Sequence, residues 1–158
     1  MVKHFRGDGE ELALDVALRT SAAPTYFPSH QGYVDGGLVA NNPSSCAVGR
    51  AVKSGAPFDR IVLLSVGTGA VPTRIDGDRL DWGYRQWVPK LLPLIMDGMV
   101  GIPDYTCRQL LPGRYARIHP FLPEEVDLDS VSRIGDLVDW ADDVDIQPAV
   151  DLLNNIAD

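Results

Sequence analysis

Apolar residues change their spacing along the chain, and each change predicts an element. Over residues 10–23, the pairs Leu12/Val16 and Ala13/Ala17 recur at the i, i+4 interval of one helix face. Glu10 and Glu11 suit the positive end of that helix, Asp8 or Gly9 can cap it, and Pro24 stops it. Its last turn, Thr20-Ser21-Ala22-Ala23, is all small, which lets a helix end pack closely on neighbouring backbone. Ahead of it, residues 2–5 read as the tail of a strand and Arg6-Gly7-Asp8 as a loop. Residues 43–53 predict a short second helix, with Gly55 at its end and Pro57 just beyond. Arg60-Ile61-Val62-Leu63-Leu64-Ser65-Val66 is an apolar run rich in β-branched residues, as expected of a parallel strand covered on both faces. With the stretch before Asp35 it completes a strand–helix–strand unit, closed by a Gly67-Thr68-Gly69 turn.

Helical spacing returns over residues 82–99, through Trp82, Trp87, Val88, Leu91, Leu92, Ile95, Met96 and Met99. Pro89 and Pro93 predict a kink or break there. Such a stripe is ordinarily core; the alternative is a cover or a lipid-facing element, with Trp87 and Leu94 against acyl chains or a bilayer. Residues 115–119 alternate like a strand. Residues 130–141 and 148–157 read as helices capped by Asp129 and by Asp145 or Gln147.

Within this frame one stretch carries the candidate chemistry: Tyr33-Val34-Asp35-Gly36-Gly37-Leu38-Val39-Ala40-Asn41-Asn42-Pro43. Two apolar residues lead into an aspartate, and two glycines, which can take φ > 0, follow it. The expectation is a strand ending in an exposed carboxylate, then a sharp turn. Asn42 as N-cap and Pro43 at the first helical position would start the next helix.

Composition narrows the partners. The net charge of −8 argues against a nucleic-acid partner. Eleven Asp and Glu against the single Arg133 mark residues 124–158 as a solvated acidic face. Asp142-Asp143-Val144-Asp145 lacks the glycine and distal glutamate of a calcium loop, and Asp76-Gly77-Asp78 with Asp81 reads no better, so no metal is expected. Gly67-Thr68-Gly69 lacks the further glycine or lysine of a nucleotide loop, and no cofactor is expected. Cys46 and Cys107 fit neither a disulfide framework nor a metal pattern, which suits a reducing, cytoplasmic setting. No apolar run is long enough to span a membrane.

Thr20-Ser21-Ala22-Ala23-Pro24-Thr25-Tyr26-Phe27-Pro28, Val34-Asp35-Gly36-Gly37, Asn41-Asn42-Pro43 and Leu64-Ser65-Val66-Gly67-Thr68-Gly69 occur in that order, and together they resemble the patatin-like phospholipase family. The likeness covers roughly residues 1–120 and fades in the acidic helical segment 121–158. It implies an α/β fold, the C-terminal half of a three-layer α/β/α domain with a parallel sheet. It also implies lipid acyl-ester hydrolysis by a Ser–Asp dyad, with Asp35 as general base and Gly36, Gly37, Asn42 and Pro43 supporting the motif. The implied partners are a lipid or acyl-ester substrate, peripheral membrane contact, and the N-terminal half of the domain.

The chain departs from the family pattern in one respect. No serine among its 158 residues stands in a Gly-x-Ser-x-Gly turn, and no Gly-rich oxyanion loop is present. The chain by itself is therefore expected to be inactive. Two other readings stay open: a non-catalytic interaction fragment that pairs through its unfinished sheet edge, and a fragment of an unrelated α/β hydrolase with a His-containing triad. His30, five residues before Asp35, could approach it, although the resemblance assigns no histidine to catalysis.

Overall fold

The computed structural model describes residues 11–71, 75 and 81–157. The expectations for residues 2–10 and for Asp76-Gly77-Asp78 lie outside the described residues. The chain divides into two compact units between Asn41 and Asn42.

The first unit holds α1 (Ala13–Thr20) and the one-turn α2 (Gly37–Ala40). Helix α1 is shorter than its apolar spacing suggested and turns a different side inward. Arg19 is buried, and Asp15 and Val16 are half-buried beside it. Leu12, Ala13 and Ala17 face outward. The charged side is held because its groups find partners just before the helix and on the loop after it. Arg19 donates to Glu11 and Gln31 and stacks over Tyr33, 4.7 Å from the ring centroid. Among the described residues no strand precedes Asp35. Tyr33 only forms an isolated antiparallel bridge with His30, and residues 34–35 run without strand pairing. A strand needs a neighbour for its ladder, and none of the described residues supplies one.

The second unit contains α3 (Ser44–Lys53), β1 (Leu63–Val66), α4 (Tyr84–Leu110), β2 (Tyr115–Ile118), α5 (Ile134–Asp142) and α6 (Gln147–Ala157). Strands β1 and β2 pair in parallel from Leu63↔Tyr115 to Val66↔Ile118, and Ala70 bridges Phe121 further along. The strand–helix–strand unit of this chain is thus β1–α4–β2, not one that starts before Asp35. Val48, Ile61, Cys107 and Leu111 form the core where α3, the entry to β1 and the end of α4 meet, with Ala51, Leu63 and Tyr115 packed against them. Helix α6 lies on β2, and Leu152 and Ala116 are both buried.

Local signals held in this unit. Gly55 takes φ +87 just past α3, as a helix-ending glycine does. Asp145 Oδ1 accepts the Gln147 N–H at 2.8 Å and so caps α6. The helix expected from residue 130 begins instead as a 3₁₀ turn, Val131–Arg133, before α5. Arg133 there ion-pairs with Glu124 and Asp136 in the acidic segment. Two expectations fail. Strand β1 is not covered on both faces, since Leu64 and Val66 are exposed. Pro89, Pro93 and Pro103 do not break α4, which runs through 27 residues. This mixed helical and parallel-strand architecture is compatible with an α/β patatin-like domain.

Candidate active site

Asp35 is half-buried, and its backbone ties it to the end of α1. Its N–H donates to the Ala22 carbonyl at 3.0 Å. Ala22 and Ala23 are buried there, and a Cβ on Gly36 would meet Thr20 Oγ1 only at the ordinary contact distance of 4.0 Å. The small residues at the end of the first helix thus pack on the backbone around the aspartate.

The glycine pair works differently from the sequence expectation. Gly36 has φ −63, and neither Gly36 nor Gly37 takes positive φ. What Gly37 supplies is room. Its N–H donates to Asp35 Oδ1 at 2.7 Å, and a Cβ there would stand 3.2 Å from that oxygen and 3.4 Å from Asn41 Oδ1. The carboxylate folds back over the first turn of α2, as a short acidic side chain does at a helix start. One oxygen is therefore fixed. Among the described residues the other has no hydrogen-bond partner, and Asp35 forms no ion pair.

His30 does not approach Asp35. Its Nε2 lies 2.8 Å from Asp15 Oδ1, and this hydrogen bond holds the Asp15 carboxyl below the usual range against the opposing effect of burial. Between His30 and α1 runs the loop carrying Tyr26 and Phe27, both exposed, with Thr25 at φ 75. Non-glycine residues reach that region at a cost of about 1–3 kcal/mol, offset here by the Ala23 carbonyl, which accepts from both Tyr26 and Phe27.

In the second unit, Asn42 and Pro43 open α3. The regular helix begins at Ser44, with Pro43 in the cap position and Asn42 one residue before it. Asn42 Oδ1 accepts from the Ser44 N–H at 3.2 Å and from Ser44 Oγ at 2.5 Å. Its Nδ2 donates to the Val100 carbonyl at 3.0 Å, which joins α3 to α4. Ser44 and Ser65 hydroxyls are hydrogen-bonded at 2.9 Å, and Arg117 donates to Ser65 from the neighbouring strand. Sequence reasoning missed this polar line. Its only signal was a serine inside an apolar run, Ser65, level with a cation on β2. Beside it Tyr115 donates to Asp104 at 2.8 Å. Burial pushes the Asp104 carboxyl up, but the hydrogen bonds from Arg108 and Tyr115 outweigh it and hold the group below its usual range.

His119 follows β2, with Nδ1 buried and without a hydrogen-bond partner among the described residues. A Cβ on Gly67 would come within 2.3 Å of that nitrogen, so only glycine leaves the ring its place. Burial, then the charge of Arg117, pushes the imidazole below its ordinary range; Asp104 and Asp97 pull the other way. The folded form resists a proton that the unfolded form accepts below about pH 6.5. The His119 contribution is therefore complete above that pH and falls as the pH drops through the folded value. Urea unfolding between pH 7.5 and 5 is expected to show this loss, and His119→Gln to reduce its slope.

The apolar stripe over residues 82–99 is not core. Trp87, Leu92, Met96 and Met99 are half-buried, while Val88, Leu91, Leu94 and Ile95 are exposed. Cys107 is fully buried and Cys46 exposed. Among the described residues no group of acidic, His or Cys side chains could hold a metal ion, and no helix is long and apolar enough to cross a membrane.

Comparison with known proteins gives three informative relatives. The chain is 33% identical over 121 residues to a cGAMP-activated phospholipase of Pseudomonas aeruginosa, covering 72% of this chain and 36% of that protein. It is 30% identical over 102 residues to patatin-like protein 3 of Arabidopsis thaliana, covering 47% and 24%. It is 47% identical over 74 residues to protein teg of Priestia megaterium, covering 46% and 23%. In each case the match spans little more than a third of the relative's length or less. No protein-family model matches the chain, and no solved structure matches it. Several phospholipase and patatin-like relatives match over partial lengths, and they support a patatin-like phospholipase family for the stretch they share with the chain.

Proposed function

We propose that this chain contributes the general base of a lipid acyl hydrolase acting on phospholipid-type esters. The observation that carries the reading is the Asp35 carboxylate. The Gly37 N–H holds one oxygen at 2.7 Å, and the other has no hydrogen-bond partner among the described residues. Pinning one oxygen fixes the direction of the second, which is what a proton acceptor needs. The nucleophile would be a serine in a Gly-x-Ser-x-Gly turn supplied from outside these residues, as the partial span of the relatives allows.

In the proposed reaction, the free oxygen of Asp35 takes the serine hydroxyl proton as Oγ bonds to the ester carbonyl carbon. The C–O bond to the leaving alcohol breaks, and the proton passes to that alcohol. Water then attacks the acyl-serine, giving its proton to Asp35, and the fatty acid leaves as the serine oxygen is reprotonated. No cofactor enters these steps. Gly36 carries the backbone from Asp35 into α2, Gly37 admits the carboxylate, and Asn42 with Pro43 leads into the helix that follows. The setting is proposed as cytoplasmic, with peripheral contact to membranes.

The test is reconstitution. This chain alone is expected to release no nitrophenol from a short-chain nitrophenyl ester. Activity is expected when it is joined to a patatin-like segment carrying the Gly-x-Ser-x-Gly turn. Robust turnover by the isolated chain would place the nucleophile among its own serines and overturn the assignment.

A further inference from the structure

Strand β2 is paired on one side only, and its register decides which groups are spent. The Arg114 carbonyl accepts from the Leu63 N–H and the Ile118 carbonyl from the Gly67 N–H, both at 2.9 Å. Residues 114, 116 and 118 therefore turn their main chain to β1, and the N–H and C=O of Arg117 and His119 point the other way. Among the described residues no main-chain group pairs with them. Such a row of unpaired groups is a template for a further strand.

This edge borders a cavity of about 450 Å³. Arg117, His119 and Phe121 line it from the strand, and Trp140, Asp143 and Asp145 from the end of α5 and the turn after it. The side chains of Arg117 and His119 leave on the sheet face of Ser65 and Gly67, where Arg117 donates to Ser65. What these two residues offer on the free side is main chain.

The charge here is one-sided. From residue 117 to 148 stand nine Asp and Glu against two Arg and His119. Arg133 is held by Glu124 and Asp136, while neither Asp143 nor Asp145, both exposed, forms an ion pair among the described residues. A segment laid beside β2 would bond to the main chain of Arg117 and His119 and send every second side chain towards Trp140, Asp143 and Asp145. Lys or Arg suits those positions, with the stem on the apolar wall and the charge at the carboxylates. A second copy of this chain, at a net charge of −8, matches the edge poorly.

We propose that the outer edge of β2 takes up an extended basic segment of a partner protein as an added strand. The surface uses neither Asp35 nor its glycine pair, and binding there is read without any ester, so it is tested apart from the hydrolase reading.

The experiment is titration of the isotope-labelled 158-residue chain with a short blocked peptide in which lysine alternates with valine, followed by amide NMR and hydrogen exchange. Saturable binding is expected, with slowed exchange at the Arg117 and His119 amides. N-methylation of one alternate set of peptide amides is expected to weaken binding at least about tenfold, and methylation of the other set to leave it within about twofold. Asp143→Lys is expected to weaken binding about tenfold with unchanged circular dichroism, and glutamate in place of the peptide lysines to abolish it. The peptide variants decide the matter if the Asp143 variant unfolds. No binding at about 1 mM peptide overturns the proposal, as does equal binding of the two methylated peptides or of the glutamate peptide. Lysine amide that binds as tightly as the peptide also overturns it and assigns the cavity to a small cation. So does a wild-type dimer joined through the same amides, which assigns the edge to a second copy.

Discussion

Asp35→Asn in the reconstituted enzyme is expected to lower kcat by about 10²–10⁴-fold, the range a general base contributes, with KM little changed. The substitution separates two roles that one side chain combines. An asparagine oxygen can still accept the Gly37 N–H, now at 2.7 Å, so the turn into α2 should persist. The amide NH₂ then occupies the place of the second oxygen and offers a donor where the reaction needs an acceptor. Steady-state kinetics on an ester substrate, with circular dichroism as the control for folding, reads both roles. A variant that keeps wild-type kcat would remove Asp35 from the chemistry altogether. An Asp35→Ala variant, which also frees the Gly37 N–H, is expected to lose stability in addition to rate.

Asn42→Ala is expected to give the largest loss of stability, roughly 3 kcal/mol, from the buried polar groups it leaves without partners. Asn42 is 1% exposed and serves three groups at once: the Ser44 N–H, the Ser44 hydroxyl and the Val100 carbonyl. Alanine removes all three bonds where little water can replace the asparagine, and only the Ser44 hydroxyl keeps a partner, in Ser65. For a chain of this size the change corresponds to a fall in Tm of about 6–12 °C, read by calorimetry. Asn42→Asp keeps the acceptor for Ser44 but loses the donor and turns a charge towards Val100. It is expected to recover only part of the difference. A shift in Tm below about 2 °C for the alanine variant would mean that α3 and α4 are joined mainly by their apolar contacts.

The sequence was most readable where an element is fixed by its own residues. Strand β2, helix α3 with Gly55 behind it, and the Asp145 cap of α6 answer to local backbone chemistry, and each lies close to its expected place. Readability failed where the outcome depends on neighbours. Tyr33 and Val34 look like a strand, but a strand is a property of a pair, and no described segment lies alongside. Helix α1 turned inward on Asp15 and Arg19 because Gln31, Glu11 and His30 satisfy them, which apolar spacing alone cannot foresee. Much the same holds at the site. Gly37 was marked by its type, but its reason is the 3.2 Å approach of the Asp35 oxygen rather than a positive φ. The Ser44, Ser65 and Arg117 line joins residues distant in sequence, and no motif announces it.

The parallel pairing of β1 with β2 has a consequence for how the chain reaches this structure. Ser65 and Arg117 are neighbours across the ladder but 52 positions apart along the chain. Entropy is lost in bringing such distant segments together before any ladder bond repays it, so the sheet closes late, and α4 shortens the gap by forming first. Until then the backbone edges of both strands stand open to other chains, which makes dilution the condition that governs the yield of refolding.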